Sequence, residues 1–225
     1  MTSRLNRQMT RKTTKPALRL TPYAWAKLLF LRDIGTTEVG GFAETDPSDL
    51  LLIQDIHLVK QQTTVGTVSF EDASVADYFD AMVDRGVTPE ASARIWVHTH
   101  PGHCPEPSST DEDTFTRCFG TSDWAVMFIL ARGGQTYARL RFHAGPAGDI
   151  LLPVEISYQQ NFRGSDPSAW YDEYQRCVEE LPSFHRFEKF IGGDEELPKL
   201  LQLTEEEWMG QEVYQEEKEL IYEYA

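Results

Sequence analysis

His98-Thr99-His100-Pro101, followed six residues later by Ser108-Ser109-Thr110-Asp111, constrains this chain more than any other stretch. The string reads His-x-His-Pro-x6-Ser-x-x-Asp. Arg94-Ile95-Trp96-Val97 ahead of it is apolar and β-prone, so a strand over residues 94–99 should carry the histidines at its end. Side chains alternate along a strand, so positions i and i+2 share a face and both imidazoles can reach one metal ion. Pro101-Gly102 breaks the strand, and the loop to Pro107 has the length to fold back. A helix over 110–119 follows, with Ser109 as the expected N-cap and Glu112 completing a capping box. Asp111 then falls in the first helical turn, where the dipole favours a carboxylate. Two neutral imidazoles and one carboxylate suit zinc, and three protein ligands leave a fourth position for water, as in a catalytic site.

A glutamate upstream extends the pattern. Thr37-Glu38-Val39-Gly40-Gly41-Phe42 reads as a strand over 37–43 that carries Glu38. Together with His98, His100, Ser108 and Asp111 it resembles the motif of the JAMM metalloproteases, also called the JAB/MPN+ domain. The resemblance covers about residues 15–160. It implies a zinc-dependent isopeptidase acting on a ubiquitin-like protein, removing it from lysine conjugates or trimming its C-terminal tail. It also implies roles. His98, His100 and Asp111 would hold one Zn2+; Glu38 would act as general base and then general acid; Ser108 would donate to the oxyanion, leaving Ser109 for the cap. Two other readings stand beside it: a metallopeptidase on another substrate, such as a sulfur-carrier protein or a cell-wall peptide, and a non-catalytic MPN-type scaffold. Scaffold members of the family tend to lack the ligands, whereas here every ligand position is filled.

Composition narrows the classes further. A chain of 225 residues with 40% hydrophobic and 12% aromatic side chains can bury a proper core. The net charge of −15 argues against nucleic acid or an anionic membrane as partner. Cys104, Cys118 and Cys177 are too few for a disulfide framework and fit a reduced, cytoplasmic protein. No run is long and apolar enough for a membrane span. Neither a Gly-x-Ser-x-Gly elbow nor a reactive-cysteine signature is present, which argues against serine or cysteine hydrolase chemistry.

Charge divides the chain into three parts. Residues 1–16 form a basic arm, 17–160 the expected metalloprotease domain, and 161–225 an acidic, mainly helical extension with scope for a protein partner. Residues 166–225 hold 17 acidic and 5 basic side chains, which is −12 of the total.

The order of elements predicts an α+β fold, similar to the curved mixed sheet flanked by helices of the MPN domain. A strand over 17–20 precedes a helix over 22–32, with Pro22 in its first turn and Ala24, Leu28, Leu29 and Leu31 facing a sheet. Strands over 50–59 and 64–70 flank a turn at 60–63, and a helix over 76–85 stops at Gly86. A buried hairpin pairs 124–131 with 136–142, and 150–156 is a last strand. A helix spans 167–181, and another starts at Thr204 with Glu207 in a capping box and a Leu203–Trp208 staple.

Some residues have two readings. Gly40-Gly41 leaves room either for an extended substrate backbone, favouring a Gly-Gly tail, or for a close approach within the fold. His103 and Cys104 lie in the metal loop, where either could occupy the open zinc position as an off-switch. His57, His143 and His185 have no partners at ligand spacing and read as structural or exposed.

Overall fold

The computed structural model describes residues 15–181. β1 (Leu18–Leu20) runs directly into α1 (Pro22–Ile34). Thr21 makes the junction, its Oγ1 accepting from the Ala24 amide at 3.2 Å while Pro22 occupies the first turn. Ala24, Leu28 and Leu31 are buried against the sheet, whereas Leu29 is only partly covered.

β2 (Gly40–Asp46) and β3 (Asp49–His57) form an antiparallel pair. Glu38 therefore precedes β2 instead of lying in it. Its amide donates to Thr64 O at 2.8 Å, outside the ladder. The turn expected at 60–63 is itself a strand, β4 (Gln61–Thr63), and the chain reverses at 64–67 before β5 (Val68–Phe70). Paired threonines make that reversal: Thr64 N donates to Thr67 O at 3.0 Å, and their hydroxyls lie 2.8 Å apart. α2 (Asp72–Asp84) begins four residues earlier than its periodicity predicts and ends at Gly86, whose φ of 75° suits a residue without a Cβ. A single turn, α3 (Pro89–Ser92), leads into β6 (Ile95–His100).

α4 (Ser109–Phe119) connects β6 to the parallel strand β7 (Trp124–Ala131), giving a βαβ unit. β7 turns into β8 (Thr136–Phe142), the hairpin expected from an apolar run ending at Gly133-Gly134. The single strand expected at 150–156 is two: β9 (Gly148–Leu151) and β10 (Val154–Ile156). Pro153 has no N–H to give a ladder, and the chain changes edge at that point. β9 pairs with β8 while β10 pairs with β1, at opposite ends of the eight-stranded order β10-β1-β3-β2-β6-β7-β8-β9. Two residues span both edges, so the sheet must curl on itself. Leu152 N donates to Ala138 O on one side and Leu18 N to Pro153 O on the other.

The fold is thus α+β, a curled mixed sheet with five helices among the described residues. β6 has a core on each side. Ile95 and Val97 face the cluster around α1, and Trp96 joins Phe42, Phe115, Phe119 and Met127 on the other face.

The helix expected over 167–181 ends earlier, as α5 (Pro167–Cys177), and the chain continues as β11 (Val178–Glu180) in a second sheet ordered β11-β4-β5. α5 packs on α1. The Trp170 indole donates to Tyr23 OH at 3.1 Å, and buried Lys27 lies 2.6 Å from Glu173 and 3.3 Å from Asp55. The basic arm, His185 and the helix expected after Thr204 fall outside the described residues, apart from Lys15 and Pro16.

Candidate metal centre

His98 and His100 lie on one face at the carboxyl end of β6, the side away from α1 and the usual place for a site in a βαβ unit. The segment before β2 runs alongside. Thr99 N donates to Val39 O at 2.9 Å, Val39 N donates to Thr99 Oγ1 at 3.0 Å, and Gly40 stands opposite His98. This brings Glu38 beside His100, with Oε1 3.6 Å from Nε2. α4 supplies Asp111 from above.

Three ligand atoms converge. The Nε2 atoms of His98 and His100 are 3.2 Å apart, and His98 Nε2 is 3.3 Å from Asp111 Oδ1. Ligands arranged tetrahedrally about zinc at about 2.0–2.1 Å stand roughly 3.3 Å from one another. The spacing and the donor set both fit one metal ion, and all three ligand atoms lie within 4.8 Å of each other. His98 is 0% exposed, Asp111 6% and Glu38 4%. Burial pushes the His98 pKa down, which keeps the ring in the neutral form that a metal requires. Burial alone would raise the Asp111 pKa, but the two imidazoles set against it and the hydrogen bond from the Ser108 amide outweigh it and hold the carboxyl well below its usual range. His100 Nδ1 lies 2.9 Å from the Cys104 carbonyl, which can only accept. Nδ1 therefore carries the proton, leaving the Nε2 lone pair turned towards His98 and Asp111.

The helix cap differs from the expected one by a residue. Ser108, not Ser109, is the N-cap of α4, and its capping-box partner is Asp111, not Glu112. Ser108 Oγ accepts from Asp111 N at 3.2 Å, and Ser108 N and Oγ donate to Asp111 Oδ2 at 2.8 and 2.9 Å. The capping carboxylate is also the candidate ligand, so the helix start fixes its position. Glu112 is directed the other way, onto Arg139.

Neighbours that the motif did not announce complete the site. The Trp96 ring lies 4.4 Å from that of His98, a contact implied by the period of two that pairs the histidines. Gln61 extends the hydrogen bonding of Gly40 beyond the end of β3, accepting from its amide and donating to its carbonyl, both at 2.8 Å. A Cβ on Gly40 would meet Val68 and Phe70 at 2.8–2.9 Å, and one on Gly41 would meet the His57 carbonyl at 2.6 Å. The glycines thus accommodate the protein's own hairpin and backbone, and the room beside them is already filled.

A groove of about 780 Å³ runs from β5 between α2 and α4, floored by Phe42, Phe70, Phe79, Trp96 and Phe119. Cys104 is exposed, and its thiol makes no disulfide; Cys118 and Cys177 are also free. His57 pairs with Glu44 at 2.7 Å, and His143 Nδ1 lies 2.6 Å from the Ser122 carbonyl. Both stand apart from the cluster. No family model and no curated protein matches this chain. Among the described residues no helix is long and apolar enough to cross a membrane.

Proposed function

We propose that the chain is a JAMM-type zinc metalloprotease with an MPN-like fold, and that it removes a ubiquitin-like protein from its conjugates or trims that protein's tail. The observation that carries the reading is the convergence of His98, His100 and Asp111 with the Glu38 carboxylate 3.6 Å from the same ring nitrogen, His100 Nε2. A structural zinc site needs four closed ligands; three ligands and an adjacent buried glutamate suit hydrolysis.

Zinc, when bound, polarises the scissile carbonyl and makes water acidic enough to be deprotonated near neutral pH. Glu38 accepts that water's proton and returns it to the departing amine, acting as base and then acid. Its buried place beside His100 supports the role. The Ser108 hydroxyl donates to Asp111, and it would turn from that carboxylate to the oxyanion as charge develops there. His98 and His100 would hold the metal and orient the site. The groove, which mixes aromatic side chains, among them the Trp96 ring packed on His98, with polar ones such as Arg94 and Arg117, is a natural track for an extended polypeptide. Gly40 and Gly41 cannot themselves select a Gly-Gly tail, because Val68 and Phe70 fill the space beside Gly40 and the His57 carbonyl fills that beside Gly41. Selectivity would have to come from the groove. The filled set of Glu38, His98, His100 and Asp111 weighs against a non-catalytic scaffold.

The test is a panel of reporters fused to a ubiquitin-like protein through Gly-Gly or through bulky residues, with cell-wall peptides and a sulfur-carrier protein alongside. Release of the ubiquitin-like fusions that stops with a zinc chelator is expected. Cleavage of the cell-wall peptides or the sulfur carrier alone would move the assignment to a different metallopeptidase. No hydrolysis of any substrate by zinc-loaded protein would leave a binding role.

A further inference from the structure

We propose that Arg139 is a positioning residue for the metal centre: its bidentate hold on Glu112 fixes the first turn of α4 and thereby aims Asp111. The inference rests on the metal reading above.

Asp111 and Glu112 are consecutive in a helix, so they project about 100° apart around its axis. One faces the two histidines while the other reaches β8. Arg139 Nη1 and Nη2 donate to the two Glu112 oxygens, both at 2.7 Å. A planar fork on a carboxylate restrains rotation as well as distance, which a point charge does not. Arg139 is itself held. Its side chain is 12% exposed, and its guanidinium carbon lies 5.5 Å from the Phe115 ring centre and 5.9 Å from that of Tyr137. Phe115 is fully buried and sits one turn beyond Asp111.

The topology makes this contact matter to the metal. Asp111 comes from a helix and the histidines from a strand, joined by the loop at 101–108. Arg139 pairs with Met127 of β7, and β7 pairs with β6 alongside His98. The Glu112–Arg139 fork thus ties the helix that carries one ligand to the sheet that carries the other two. On the loop side, the cap made by Ser108 is local to the helix and cannot set its roll against the sheet. The sequence assigns Glu112 to that cap; its actual partner, Arg139, gives it this duty instead.

The experiment measures zinc affinity by competition with a chelator, together with the visible spectrum of the cobalt-substituted protein, for wild type, Arg139→Gln, Arg139→Lys, Glu112→Gln and the swapped pair Arg139→Glu/Glu112→Arg. Melting of each metal-free protein is recorded in parallel. Arg139→Gln and Glu112→Gln should each weaken zinc binding about 10–100-fold and alter the cobalt bands, and Arg139→Lys, which keeps the charge but not the fork, should not restore them. The swapped pair should recover part of the affinity. Zinc affinity within about twofold of wild type in both Gln variants overturns the proposal and leaves the metal reading intact. A lowered melting temperature with unchanged affinity and cobalt spectrum overturns it too, since the contact would then serve stability alone. Should Arg139→Gln fail to fold, Glu112→Gln decides. Wild-type protein that binds no zinc removes the metal reading and the proposal with it.

Discussion

Glu38 Oε1 and Asp111 Oδ2 flank the same ring nitrogen, each 3.6 Å from His100 Nε2. The two carboxylates have different neighbours. Asp111 is bound by the cap of α4, whereas Glu38 is carried on backbone bonded to Thr64 and next to Val39. On the proposed reading, Asp111 would stay as a ligand and Glu38 would handle protons. Glu38→Gln should lower turnover by at least 10²–10⁴-fold, the range for loss of a general base, with zinc content unchanged. Metal analysis and single-turnover kinetics on one preparation check both halves.

Purified protein should contain about one equivalent of zinc per chain. His98→Ala and Asp111→Ala should each lose most of it, because each removes one of three protein ligands. Full retention in both variants would refute the ligand set.

The two serines at the helix start should separate cleanly. Ser108→Ala removes the cap and should cost about 1 kcal/mol of stability. As an oxyanion donor its loss should also lower turnover on the order of 10²–10³-fold. Ser109 is the first residue within the helix, so Ser109→Ala should be nearly neutral in both. Denaturant titration and steady-state kinetics compare the pair.

Acid should weaken the fold through Glu44. The hydrogen bond from His57 lowers its pKa, burial opposes this, and the charges of His57 and Arg85 add to the lowering. A carboxyl depressed in the folded state contributes stability above its ordinary value near 4.5, and the contribution is lost as pH falls from there through the folded value. Melting temperatures should drop below about pH 4.5, and Glu44→Gln should flatten that part of the profile.

Lys27 is 3% exposed between Asp55 and Glu173. Lys27→Ala leaves buried carboxylates with one cation fewer, and should cost about 3–5 kcal/mol in chemical denaturation. Lys27→Met with Glu173→Leu should recover much of that loss.

The convergence of His98, His100 and Asp111 was legible because it uses scarce residue types at spacings that a strand end and a helix start impose. α1 and the β7–β8 hairpin were legible for a similar reason, since Thr21-Pro22 and the Gly133-Gly134 turn are local signals. What could not be read depends on partners far along the chain. Residues 61–63 look like a turn until Gln61 is seen to bond Gly40 and β11 to lie beside β4. The run 150–156 looks like one strand because nothing local says that its halves belong to opposite edges. The choice between Ser108 and Ser109 turns on a single residue of helix phase, decided by which following acid faces inward. Asp111 does, and Glu112 is drawn away by Arg139.

The two-residue step from β9 to β10 also bears on how the chain is made. Leu18 finds Val154 only after nearly everything between them has left the ribosome. Until then β1 presents one unsatisfied edge to the cell. Pairings between such distant segments form slowly, and exposed strand edges invite association with other chains in the interval. Yield of native protein should therefore depend on translation rate, temperature and holding chaperones far more than the stability of the finished fold would imply.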